Sequence, residues 1–257
     1  RMGGLRARGG EPFDIVGKNF GPAGTIIDFY YGPSVSAPQR YTAKNCEVII
    51  DHTTIKCLSA AGVGKNHVSL IRVGGQLSST DLVDASQEYS GIKIFYLPPS
   101  IVSVSGIGAI GSTTSGGSQI VISGSDFGPT FTTFSQPCTF EPAASDQTEV
   151  AYISANTNAH YGQAPNASVI PGVNYAAECC VVEGDERLVC RTAQGTGFNH
   201  AWVVEIGDQW STVKKAGTSY GQPIIINYEN YPTEYPTNVN DYNTTGGEWI
   251  IVVGRNL

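Results

Sequence analysis

The chain has 257 residues and a net charge of −7, with 40% hydrophobic and only 14% charged residues. The acidic balance excludes nucleic acid as a partner, since phosphate recognition needs a basic patch, and no apolar run is long enough to insert in a bilayer. Thirty-one Gly and 14 Pro, among many Val, Ile, Thr and Tyr, predict short strands joined by turns. No stretch shows apolar residues at helical spacing. The fold class read from this is all-β and antiparallel.

In chain order, the first pattern is Gly9-Gly10, six residues, then Gly17-Lys18-Asn19-Phe20-Gly21-Pro22. It returns as Gly116-Gly117, six residues, then Gly124-Ser125-Asp126-Phe127-Gly128-Pro129. A third copy runs from Gly246-Gly247 to Gly254-Arg255-Asn256-Leu257. The steps are 107 and 130 residues, which marks tandem domains. The expected division is a first repeat at 1–98, incomplete at its start, a second at 99–222, and the beginning of a third at 223–257. The chain therefore reads as a segment of a longer modular protein. Strands Ile120-Val121-Ile122 and Trp249-Ile250-Ile251-Val252-Val253 follow their Gly-Gly pairs. The Gly-x-Asn/Asp-Phe-Gly-Pro run is expected to turn the chain, with Phe20 and Phe127 plugging the sandwich end.

A second repeat lies between these. Asn45 to Ser78 aligns without gaps on Glu178 to Ser211 at an offset of 133. Cys46 and Cys57 fall on Cys179 and Cys190, and Asn66-His67 on Asn199-His200. The second repeat thus carries about 26 extra residues, assigned to an insertion at about 131–175 with loop composition. Along the strand after the aligned His, Ser69, Ile71 and Val73 match Trp202, Val204 and Ile206. The shared apolar character makes this the core face, with Arg72 and Glu205 turned to solvent.

Six cysteines, one pair recurring at an 11-residue step, predict disulfides and an oxidising, extracellular setting. The expected bridges are Cys46–Cys57, Cys179–Cys190 by the repeat register, and Cys138–Cys180, which would staple the insertion to the sheet. Closing the first loop stabilises by about 3 kcal/mol in the chain-entropy account. No Cys-x2-Cys knuckle or His cluster supports a metal site. Asn166-Ala167-Ser168 and Asn243-Thr244-Thr245 fit the N-glycosylation pattern, so glycans are expected at Asn166 and Asn243. The stretch from Glu229 to Thr245 reads as a linker rich in Tyr, Pro, Asn and Thr.

Taken together, Gly-x-Asn-Phe-Gly-Pro, Cys-x10-Cys, Gly-x-Gly-x-Asn-His, Val-Gly-Gly-Gln and a closing Tyr-x-x-Pro resemble the IPT/TIG domain. The closing element is Tyr96-Leu97-Pro98-Pro99 in one copy and Tyr220-Gly221-Gln222-Pro223 in the other. The resemblance implies tandem immunoglobulin-like β-sandwiches that abut with almost no spacer. It covers nearly the whole chain except the insertion. The family serves receptor ectodomains, large protist and algal surface proteins, sugar-processing enzymes and transcription factors, so the fold alone does not choose a function.

Candidate chemistry is sparse. His67 and His200 recur, but each opens a core-facing column after a Gly-x-Gly turn with no nucleophile or carboxylate beside it, which reads as packing. Asp51, His52, Asp185 and Glu186 fall in the tight connection between the paired cysteines, where a hairpin wants polar residues. No catalytic, cofactor or metal residues are assigned. The leading expectation is a non-catalytic structural segment of a secreted glycoprotein, built into a stalk, fibre or filament by self-association or by neighbouring domains of one long chain. The alternative is a receptor ectodomain or carbohydrate-binding spacer.

Overall fold

The computed structural model describes residues 4–33, 39–78, 93–129, 158–163, 175–230, 245–247 and 249–257, with no side chains for 158–163, 178, 180–182 and 229–230. Every regular element among them is a β-strand, and every strand pairing is antiparallel. The molecule is a tandem array of immunoglobulin-like β-sandwiches.

In the first sandwich, β1 (Pro12–Val16), β5 (Thr54–Leu58) and β4 (Lys44–Ile50) form one sheet. β3 (Tyr41–Thr42), β2 (Asp28–Gly32), β6 (Val68–Val73) and β7 (Gln76–Leu77) form the other. Between them lies a core of alternate residues: Phe13 and Ile15 of β1, Phe29 and Tyr31 of β2, Val48 of β4 and Ile55 of β5. The period of two is what a pleated strand requires to bury one face.

The second sandwich repeats this plan with β8 (Ser100–Ser105), β9 (Gln119–Ser125), β10 (Asn158–Gln163), β11 (Tyr175–Glu183), β12 (Arg187–Arg191), β13 (His200–Ile206), β14 (Gln209–Trp210) and β15 (Lys214–Thr218). Its strands run in the order β14-β13-β10-β11-β12-β9-β8, and β15 also pairs with β13. The difference lies in one strand. In the first sandwich the chain breaks at Ala43 between β3 and β4, and Asn45 takes a left-handed φ of 52°. In the second, β11 runs unbroken and pairs with β10 at its start and β12 at its end. One strand thereby joins both sheets.

Strand β10 also alters the insertion expected at 131–175. It pairs with β13 in the register that β2 holds with β6: Tyr31 faces Ser69, and Tyr161 faces Trp202. Asn158 to Gln163 therefore belong to the sheet. Five residues separate Pro22 from β2, against 28 between Pro129 and β10, so most of the added length precedes β10.

The Phe-Gly-Pro turns have one construction. Asn19 and Asp126 take φ of 66° and 61°, a region that Asn and Asp visit far more readily than branched residues. Each following Phe folds back over the Gly that ends the preceding strand, and the ring leaves no room for a Cβ there. Phe20 and Phe127 are buried in their cores. The hairpin between the cysteines holds these turns. Phe20 N–H donates to His52 O at 3.2 Å, and Phe127 N–H to Asp185 O at 2.9 Å.

The core face expected on β6 and β13 is present, since Ile71, Val73, Trp202, Val204 and Ile206 all pack into their cores. The opposite faces are not simply solvated. Val68, Leu70, Ala201 and Val203 are buried as well, so these strands are covered on both faces near their starts. Arg72 is partly exposed, with its guanidinium 3.8 Å from Asp28 and over the Tyr30 ring.

β16 (Ile224–Asn230) and β17 (Ile250–Arg255) form a separate two-stranded sheet. Disulfides join Cys46 to Cys57 and Cys179 to Cys190, each pair with Cα atoms 4.1 Å apart. Cys138, Asn166 and Asn243 lie outside the described residues. Cys180 sits on β11, where its backbone alone is described.

Candidate functional site at the joint between sandwiches

Each sandwich carries an aromatic cage around its recurring histidine. His67 is fully buried and its Nε2 lies 2.9 Å from Val63 O. Because a carbonyl only accepts, Nε2 carries the proton. Nδ1 is left as a buried lone pair without a partner. The rings of Tyr41, Tyr96 and Tyr31 stand 5.3, 5.7 and 6.2 Å away. Tyr41 O–H donates to Val63 O at 3.1 Å and accepts from Val63 N–H at 3.2 Å. Ala60 N–H donates to Tyr31 Oη, Tyr31 and Tyr96 share a 2.8 Å bond, and Tyr96 O–H donates back to Ala60 O. Burial pushes the His67 pKa down and those of Tyr31 and Tyr96 up, because each charged form would lose its water.

The second sandwich repeats the device with a Thr in place of Val63. Tyr175 O–H donates to Thr196 O and accepts from Thr196 N–H, both at 3.1 Å. His200 Nε2 lies 3.3 Å from Thr196 O, and Tyr220 O–H donates to Ala193 O at 2.7 Å. Burial lowers the His200 pKa too. Both histidines thus act as neutral struts that fix a Gly-x-Gly loop at the end of a sandwich, as their sequence position suggested. Among the described residues no three His, Cys, Asp or Glu side chains gather into a metal-ligand group.

The first of these loops is the seat on which the second sandwich rests. Val63 and Ala7 belong to the hydrophobic core of the second sandwich, not the first. Gly207 lies so close to Gly64 that a Cβ on it would come within 2.6 Å of the Gly64 backbone. Gly128 approaches Val63 equally closely. Asp126, at 3% side-chain exposure, forms the polar lock. Its carboxylate takes the Arg6 guanidinium at 2.9 Å, Ala7 N–H at 3.1 Å and Ser125 O–H at 3.1 Å. Gln209 Nε2 donates to Tyr96 O at 3.0 Å on the other side. A buried carboxylate is tolerated only when its oxygens are paired in this way.

Sequence reasoning expected the sandwiches to abut but did not find the residues of this joint. Asp126 was visible only as the one acid among Asn19, Asp126 and Asn256 at a shared position, and that departure is the signal that marks it.

No protein-family profile and no curated protein matches the chain. Among solved structures, two of the plexin A4 extracellular region are similar to it. One, spanning its domains 1 to 8, has a TM-score of 0.27 and 12% identity and covers 100% of this chain. The other, over domains 1 to 10, has a TM-score of 0.29 and 14% identity and covers 92%. The third is FdeC, an Escherichia coli adhesin, with a TM-score of 0.27 and 9% identity over 82% of the chain. The chain spans 27% and 17% of the plexin chains and 64% of the adhesin.

Proposed function

We propose that this chain is a structural, non-catalytic segment of a secreted or cell-surface glycoprotein, in which tandem IPT/TIG-type sandwiches, divided at about 98 and 222, build a stalk, fibre or filament. The observation that carries the reading is the joint. Two sandwiches that meet through backbone contact at Gly64 and Gly207, with a buried Asp126 clamped to Arg6 and Ala7, form a stiff pair. Stiffness between successive units is what a load-bearing rod needs and a flexible tether lacks. The two disulfides support an oxidising compartment, and no helix among the described residues is long and apolar enough to cross a membrane. Self-association, with glycans at Asn166 and Asn243, completes the proposal.

Electron microscopy of the native protein tests it, with its mass taken before and after deglycosylation. Ordered fibres with sugar mass are expected. Dispersed particles at high concentration refute the filament and turn attention to a receptor ectodomain or carbohydrate-binding spacer.

A further inference from the structure

The second sandwich encloses a small polar cavity beside His200. Ser112, Thr192, Trp202 and Thr218 line it. It offers about 10 Å³ to the centre of a water-sized sphere, room for about one water molecule.

The first sandwich shows what opens it. Ser112 stands where the first sandwich has Leu5, and the backbone around the two is the same. Leu5 bridges Tyr96 as Ser112 bridges Tyr220. Leu5 N–H donates to Phe95 O at 2.9 Å, and Ser112 N–H to Ser219 O at 3.0 Å. In return, Leu97 N–H donates to Leu5 O at 2.8 Å, and Gly221 N–H to Ser112 O at 2.7 Å. Thr192 likewise stands where the first sandwich has Ser59. It accepts from Ser118 N–H as Ser59 accepts from Glu11 N–H, both at 3.1 Å. Leu5 fills its place in the first core. Ser112, just as buried, puts a shorter side chain and a hydroxyl there, and a core that does not close around such a loss keeps the space. Trp202, in place of Ser69, brings an indole N–H to Thr218 Oγ1 at 2.9 Å.

The donors around this space outnumber the acceptors. The Ser112 and Thr192 hydroxyls share one bond of 3.1 Å, so one of their two protons has no acceptor. Thr218, also buried, accepts from Trp202, and its own proton has no acceptor among the described residues. Buried hydroxyls are rarely left in that state. An occupant must therefore accept two hydrogen bonds in the space of about one water molecule. An apolar group accepts none, and a cation would meet only surplus protons. An anion would find no cationic side chain in the lining, since burial keeps His200 neutral.

We propose that this cavity is a binding site for an ordered water molecule that accepts from the Ser112–Thr192 pair and from Thr218. The inference concerns the second sandwich alone and does not rest on filament formation.

The test uses the 257-residue chain with water itself as the probe. Water-selective cross-relaxation is read at the indole N–H of Trp202, which is fully buried. A cross-peak from long-lived water is expected. Ser112→Leu gives the site the side chain that Leu5 supplies in the first sandwich. It should expel the water and abolish the cross-peak, while hydrogen exchange in β13 stays as in the parent. Absence of the cross-peak in the parent overturns the proposal. So does a cross-peak that survives in folded Ser112→Leu, because its source is then the Thr218 hydroxyl proton exchanging with solvent. Should that variant fail to fold, a high-resolution crystal structure of the unaltered chain decides. Water density about 2.7–3.0 Å from Thr218 Oγ1 and from one hydroxyl of the Ser112–Thr192 pair upholds the site, and a cavity without density overturns it.

Discussion

Replacing Asp126 by Ala removes three things at once. Ala7 N–H loses its buried acceptor, at a cost of about 1–3 kcal/mol. The left-handed φ of 61° costs an Ala roughly 1 kcal/mol. The pair with Arg6 adds at most about 1 kcal/mol, because the guanidinium is 45% exposed and water screens it. Together these predict a loss of about 3 kcal/mol, placed at the joint and not in the core of either sandwich. Asp126→Asn keeps the turn and an acceptor for Ala7 while discarding only the charge, so it should cost no more than about 1 kcal/mol. Urea unfolding followed through Trp202, which is fully buried in the second sandwich, reads both variants. With a slope near 2 kcal/mol per molar, the Ala variant should shift the midpoint by about 1.5 M. Adding Arg6→Ala to Asp126→Ala should change little further, since the partner is already gone. If the Ala variant stays within about 0.5 kcal/mol of the parent, the range of an ordinary surface change, Asp126 does not lock the joint.

Gly207→Ala should cost about 2 kcal/mol or more and open the Gly62–Gly64 loop to hydrogen exchange, whereas Gly74→Ala, at the matching position with a left-handed φ but open space around it, reports the backbone strain alone. His67 has its folded pKa lowered by burial, so the unfolded chain takes up the proton first. Its neutral form contributes full stability above the ordinary value of about 6.5, and that contribution falls away as pH drops from there toward the depressed folded value. His67→Phe should flatten this segment of a stability-versus-pH curve measured between neutral and mildly acid buffer. Replacing Cys46 and Cys57 by Ser should lower thermal stability by about 3 kcal/mol in the first sandwich and leave melting of the second unchanged.

Repeats carried most of what was legible. The Gly-Gly start, the Phe-Gly-Pro turn and the Cys-x10-Cys step each name a residue whose backbone or side chain has one permitted place, so matching them across copies located β9, β17 and the two disulfides. Strand β10 was missed because its positions in the sheet are fixed by pairing, not by composition. Asn158 to Gln163 lack an alternating apolar pattern, and only Tyr161-Gly162, matching Tyr31-Gly32 in β2, betrays the equivalence. Arg72 and Glu205 are partly exposed, in line with the expectation, but the faces that carry them are buried near the strand starts. Alternation along one strand reports what its own sheet needs, and it is silent about whatever buries Val68, Leu70, Ala201 and Val203 on the other side. The joint was hidden because its contacts span some 120 residues of sequence, as with Arg6 and Asp126, and no local spacing rule reaches that far.

The unbroken course of β11 gives the two sandwiches different ways of coming apart. In the second, one nine-residue strand pairs with β10 over residues 175–178 and with β12 over residues 178–183, so neither layer can melt without pulling on its opposite number. In the first, the strand breaks at Ala43, and the layers are tied instead by separate backbone bonds around the break: Ala43 N–H to Phe29 O, Ile27 N–H to Cys46 O and Val48 N–H to Thr25 O. Two units that share a sequence pattern therefore couple their layers differently, one through a continuous strand and the other through a few bonds around a break, and hydrogen exchange should find the broken strand opening first.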